Sequence, residues 1–190
     1  MSTVSDTIRN GVDTEQMFAT LDLIKEQPEL ARFRFRATNR WVDGAHNRST
    51  IKGFYAAGGE DTTRSKAFAL DAGEPAILLG TDTGPNPAEY LLHALAACVT
   101  TSLVYSAAAR KVNLTMVEST LEGDLNVEGA MGTNTVDFRN GFTEIRMSIR
   151  IAGDAPADKL REVVQRGTDR SVVFDSISGG VPISVDVTTV

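Results

Sequence analysis

Cys98 is the only cysteine of the 190-residue chain. It lies inside an apolar, alanine-rich run, Asn86-Pro87-Ala88-Glu89-Tyr90-Leu91-Leu92-His93-Ala94-Leu95-Ala96-Ala97-Cys98. A thiol on such a helix is either inert packing or a nucleophile held rigidly for redox chemistry. The helix alone does not activate it. Counted from Asn86, Cys98 is about 18 Å along the axis at 1.5 Å per residue, whereas the dipole acts only within the first turn. Neighbours such as Ala94, Leu95, Thr101 and Ser102 oppose formation of a thiolate, so reactivity requires an Arg or His brought from elsewhere. His93 is about 140° around the helix from Cys98, which disfavours a Cys–His hydrogen bond within one chain. It reads as a core or interface donor, or as a residue lining a partner's cleft. His46, in Asp43-Gly44-Ala45-His46-Asn47-Arg48, reads as a turn residue. Two distant histidines without a cysteine pair give no metal-site spacing, so neither metal nor cofactor is expected. Gly58-Gly59 precedes acidic residues and is not a phosphate loop, and Arg32, Arg34 and Arg36 read as the wet face of a strand.

The elements that must position this thiol are legible in the pattern. Asn86 at a cap, Pro87 at the first helical position and Glu89 at the third start a long helix reaching about Arg110. Its serines, threonines and His93 mark a buried core helix, not a membrane span. Upstream, Asp13 and Gln16 start a helix through about Lys25 with Met17, Phe18, Leu21 and Ile24 on one face. Pro28 ends it. Phe33, Phe35 and Ala37 then alternate with polar residues as a half-buried strand, Asp43-Gly44 turns the chain into a second strand over 47–54, and a third runs over 66–71. Downstream, residues 120–127 and 144–151 alternate wet and dry. Pro156 opens a helix through about Arg166, with Leu160, Val163 and Val164 inward, and a turn or helix over 171–178 leads to a final strand with Val181, Ile183, Val185 and Val187 facing in. The order is α+β, with antiparallel sheets around a long central helix. That helix is too apolar to be covered on one side only, and its many alanines permit close approach from several directions, which points to an interlocked dimer.

Composition bounds the rest. With 42% apolar residues the chain can bury a core. A net charge of −6 and the absence of a Lys/Arg run argue against nucleic acid or a membrane surface as partner. The start Met1-Ser2-Thr3-Val4-Ser5-Asp6 lacks a signal-peptide pattern, so a cytoplasmic location is expected.

Gly84-Pro85-Asn86-Pro87-Ala88-Glu89-Tyr90-Leu91-Leu92 followed by Ala94-Leu95-Ala96-Ala97-Cys98 resembles the signature helix of the OsmC/Ohr family, the osmotically induced and organic-hydroperoxide-resistance proteins. Arg170-Ser171-Val172-Val173-Phe174-Asp175-Ser176-Ile177 and Val181-Pro182-Ile183-Ser184-Val185 resemble its second motif and closing strand. The resemblance covers residues 31–190 and leaves 1–30 as an extension with one helix. It implies an OsmC-like fold, an intertwined homodimer and thiol sites at the subunit interface. In family peroxidases a Cys at the place of Cys98 attacks the peroxide, a second Cys resolves the sulfenic acid, and a dithiol reduces the disulfide. Here Ser171 stands where the resolving Cys is expected. Ala88 occupies the position of the Glu that organises the thiol, with Glu89 one step away, and the family's Arg partner has candidates in Arg48, Arg40, Arg36 and Arg64, of which Arg48 is chosen.

Two functions follow. One is a thiol-dependent hydroperoxide reductase of oxidative stress defence, acting through Cys98, Arg48 and Glu89 with an external dithiol. The other is a non-peroxidatic dimer that binds a small apolar or acyl ligand in an interface cleft, with His93 and Ser171 lining it. Cys98-dependent acyl transfer or hydrolysis is a third reading, which needs a base near the sulfur.

Overall fold

The computed structural model describes residues 7–133 and 139–190. They form two compact units, one of residues 13–91 and one joining residues 7–12 to the described residues from 92 onward.

Strands β1 (Ile8–Arg9) and β2 (Val12–Asp13) flank Asn10-Gly11. Both turn residues have positive φ, 51° and 77°, the conformation a two-residue hairpin requires and Asn-Gly adopts readily. The Asn10 side chain behaves like a peptide group. Its Nδ2 donates to the Val112 carbonyl at 2.9 Å, and its Oδ1 accepts from the Leu114 amide at 2.8 Å.

Helix α1 (Thr14–Glu26) starts at Asp13, whose carboxylate accepts from the Gln16 amide at 3.1 Å. The expected inward face is not buried: no residue of α1 is, and Phe18 and Leu21 are exposed. A 3-10 turn at Pro28–Ala31 ends it. Strands β3 (Thr38–Asp43), β4 (His46–Ile51) and β7 (Phe68–Ala72) form an antiparallel sheet in the order β3-β4-β7. Between the last two, β5 (Phe54–Ala56) and β6 (Gly59–Asp61) make a separate hairpin. The strand expected from Phe33 to Ala37 does not form. Only Arg34 makes a bridge, to Tyr55, and regular pairing begins at Thr38. Alternation made these residues suited to a strand, but a strand exists only where a neighbour accepts its hydrogen bonds.

Helix α2 (Pro87–Ala109) carries the core of the other unit. It is long and apolar enough to cross a membrane, yet Leu95, Val99, Leu103 and Ala107 recur every fourth residue and form a buried stripe. Against it packs the dry face of an antiparallel pair, β8 (Leu114–Asp124) and β9 (Glu144–Gly153), including Val117, Leu121, Ile145, Met147 and Ile149. The pattern past Asp124 does not continue as strand, because Asn126 instead caps a short helix, α3 (Val127–Ala130). Helix α4 (Ala157–Asp169) adds Leu160 and Val163 to the core. Its Gly167 lies so near α2 that a Cβ there would come within 2.5 Å of Leu103 Cβ.

Helix α5 (Val172–Gly179) follows. The closing strand expected over 181–187 is absent. Among the described residues nothing pairs with it, and Ile183, Val185 and Val187 are at least 80% exposed. The class is nonetheless mixed α and antiparallel β, as the residue pattern implies.

Candidate functional site

Cys98 sits on the α2 turn between Leu95 and Val99, both of which face the core. One residue is 100° of helix, so the sulfur lies beside that stripe instead of within it. It is half-buried and free. Among the described residues it makes no hydrogen bond. His93, five residues earlier, is exposed, as its angular offset from the stripe requires.

The start of α2 is a closed set of hydrogen bonds. Asn86 Oδ1 accepts from the Ala88 amide at 2.7 Å, and Glu89 Oε2 accepts from the Asn86 amide at 2.8 Å. This reciprocal pair satisfies two backbone donors that a helix start leaves unpartnered. Asn86 Nδ2 also donates to Glu74 Oε2, so the loop before the helix is tied to its first turn. Glu89 is engaged as a cap. The Glu74 contact was not foreseen, since nothing local marks a residue twelve positions away.

Arg48 is held in a fork. Its Nε donates to Asp71 Oδ1 at 2.8 Å and its Nη2 to Asp71 Oδ2 at 2.9 Å. His46 Nε2 lies 2.7 Å from the same Oδ1. The pairing follows from register: Arg48 and Asp71 are opposite one another on β4 and β7, and residues two apart on β4 share a face. Hydrogen bonds from Arg48, then from His46, hold the Asp71 carboxyl down at about 2. The guanidinium is correspondingly shifted upward. Asp71 was missed in the sequence because strand alternation gives the faces but not the cross-strand partner. His46, read there as a turn residue, begins β4 and belongs to this cluster.

Ser171 is 1% exposed. Its Oγ accepts from the Phe174 amide at 3.2 Å, which makes it the N-cap of α5. The structure thus gathers Arg48, His46 and Asp71 in the unit of residues 13–91, and places Cys98, His93 and Ser171 in the other.

A family profile described as OsmC-like protein matches residues 80–186, more than half of the chain. No curated protein matches it. Among solved structures, an OsmC-like protein from Mycoplasma pneumoniae is 16% identical, with a TM-score of 0.59 over 77% of this chain and 89% of that one. An organic hydroperoxide resistance protein from Legionella pneumophila is 18% identical, with a TM-score of 0.50 over 76% and 89%. An OsmC-like protein of unknown function from Vibrio cholerae is 13% identical, with a TM-score of 0.50 over 75% and 92%. At these identities the likeness concerns the fold.

Proposed function

The chain belongs to the OsmC-like protein family, and on that premise we propose that it reduces small organic hydroperoxides through Cys98, with an external dithiol restoring the sulfur. The observation that carries this reading is the position of a free, half-buried thiol in the middle of the helix that the family profile covers. In the proposed cycle the thiolate attacks the terminal peroxide oxygen. The O–O bond breaks, the alkoxide takes up a proton and leaves as an alcohol, and Cys98 becomes a sulfenic acid. With a single cysteine in the chain, no intramolecular disulfide can follow. One thiol of the external dithiol displaces water to give a mixed disulfide, and its second thiol then releases Cys98 as the dithiol closes its own disulfide. Arg48, fixed by Asp71, is the cation assigned to the thiolate, and Glu89 positions the helix start.

The reading includes a cytoplasmic homodimer. Support comes from the alternating apolar residues Ile183, Val185 and Val187, which are exposed in one chain, and from the exposed face of α1. A second copy is the simplest cover for both.

Non-peroxidatic ligand binding is the second reading. It is favoured by Ser171, which is buried and engaged as a helix cap, and by Ala88 at the position of the organising Glu. Turnover of cumene hydroperoxide with dithiothreitol, compared between the native chain and Cys98→Ser, decides between them. A rate that depends on Cys98 is expected; equal background rates in both proteins would remove the peroxidase reading.

A further inference from the structure

The sheet of residues 13–91 holds a cleft of about 310 Å³. Ile51, Leu70 and Ala72 contribute apolar wall from β4 and β7, and Pro87 and Tyr90 from the first turn of α2. Tyr90 is fixed there by donating its hydroxyl to the Asp71 carbonyl at 2.7 Å.

Two polar side chains, Asn47 and Ser49, also line the cleft. Both accept from the Asn39 amide nitrogen, at 2.7 Å and 2.9 Å. Asn39 thereby spends both amide hydrogens on them. Ser49 Oγ, already accepting, retains its own hydrogen to donate, and Asn47 Nδ2 has a single long contact at 3.4 Å to Ala45 O. The cleft therefore presents donors that call for an acceptor. No charged side chain lines it, so a carboxylate or ammonium would lose hydration there without gaining a counter-charge. The volume is at the lower end of small-molecule sites.

We propose that this cleft binds a small uncharged organic molecule, apolar over most of its surface and carrying one hydrogen-bond acceptor oxygen that meets Ser49 and Asn47. The inference shares the ligand-binding character of the second reading but concerns a different site, since neither His93 nor Ser171 lines this cleft. It stands on the sheet's own residues and needs no chemistry at Cys98.

A probe is built in. Trp41, the only tryptophan, is opposite Asn47 in the β3–β4 register and so shares its face of the sheet. In the Cys98→Ser protein, Trp41 emission and the backbone amide resonances of 47–51 are followed while 2-hexanone or hexanoate is added. The ketone is expected to saturate, with hexanoate weaker by roughly tenfold or more from its lost hydration. Ser49→Ala should weaken ketone binding about tenfold, the loss of one hydrogen bond. Ala37→Leu, which fills the cleft from an exposed lining position, should abolish it. Failure of the ketone to saturate up to its solubility, equal binding of hexanoate, or unchanged binding in Ala37→Leu would overturn the proposal. So would an Ala37→Leu protein whose oligomeric state alone changes, since the cleft would then seat a second copy. Each result leaves hydroperoxide turnover by the native chain as a separate question.

Discussion

Arg48 grips Asp71 with two parallel hydrogen bonds of 2.8 Å and 2.9 Å across β4 and β7, and His46 closes on the same carboxylate from 2.7 Å. The cluster locks a register in which a one-residue slip would exchange the two faces of the strand. Since Asp71 titrates at about 2 instead of 3.8, its contribution to stability is fully present above the ordinary carboxylate range and disappears as pH falls through the folded value. Asp71→Asn is therefore expected to be less stable than the native chain at neutral pH, with the difference shrinking as pH falls from 3.8 to about 2. Urea unfolding across that range checks this; a difference that stays constant with pH would refute it.

The contact between Gly167 and Leu103 sets a second expectation. A Cβ on Gly167 would lie 2.5 Å from Leu103 Cβ and 2.7 Å from its Cα, and the backbone of α2 cannot yield as a flexible side chain would. Gly167→Ala should destabilise the protein by about 1–3 kcal/mol, although alanine is the better helix former by about 1 kcal/mol. Denaturant midpoints with an unchanged m-value measure the cost.

At the start of α2, capping and catalysis make different demands on Glu89. Gln can accept from the Asn86 amide as Glu does, so Glu89→Gln should keep stability and, in the proposed peroxidase, the Cys98-dependent rate. Asn86→Ala removes the acceptor for the Ala88 amide and should cost about 1 kcal/mol. A large loss of rate in Glu89→Gln with unchanged stability would assign the carboxylate a direct chemical part.

Ser171 offers a gain-of-function test of the family reading. Ser171→Ala deletes a buried N-cap and should cost about 1 kcal/mol. Ser171→Cys instead places a thiol where the family motif carries its resolving cysteine, and peroxide treatment should then yield a disulfide to Cys98 detectable by intact mass. Persistence of a sulfenic acid in that variant would count against the proposed correspondence.

If the exposed stretch from Val181 to Val187 pairs with a second copy, deletion of residues 181–190 should turn a dimer into a monomer in sedimentation velocity. An unchanged sedimentation coefficient after allowing for mass would rule that pairing out.

What the residue pattern disclosed, and what it concealed, follows from the range of the interactions involved. Asp13 with Gln16 and Asn86 with Glu89 are bonds across three residues, so both helix starts were legible. The dry faces of β8 and β9 were legible too, since burial against α2 is recorded at every second position. Phe33–Ala37 and Val181–Val187 carry the same alternation, yet the first makes a single bridge and the second none. Alternation reports a face suited to burial; it does not supply the neighbour. The same limit hid Asp71. Arg48 could be chosen as a candidate from its place after a turn, but its partner lies 23 positions away, and only the assembled sheet brings the two together.

Asn10 grips both main-chain groups that flank Asn113, while Arg9 reaches Lys111 O at 3.1 Å and Asn113 Oδ1 at 3.0 Å. A fragment cut to the profile-matched stretch would forfeit this clasp, leaving the Val112 oxygen and the Leu114 hydrogen to water where β8 leaves the helix. Arg9 and Asn10 are thus a fastener on the second half of the polypeptide, carried by a stretch that the family resemblance does not reach.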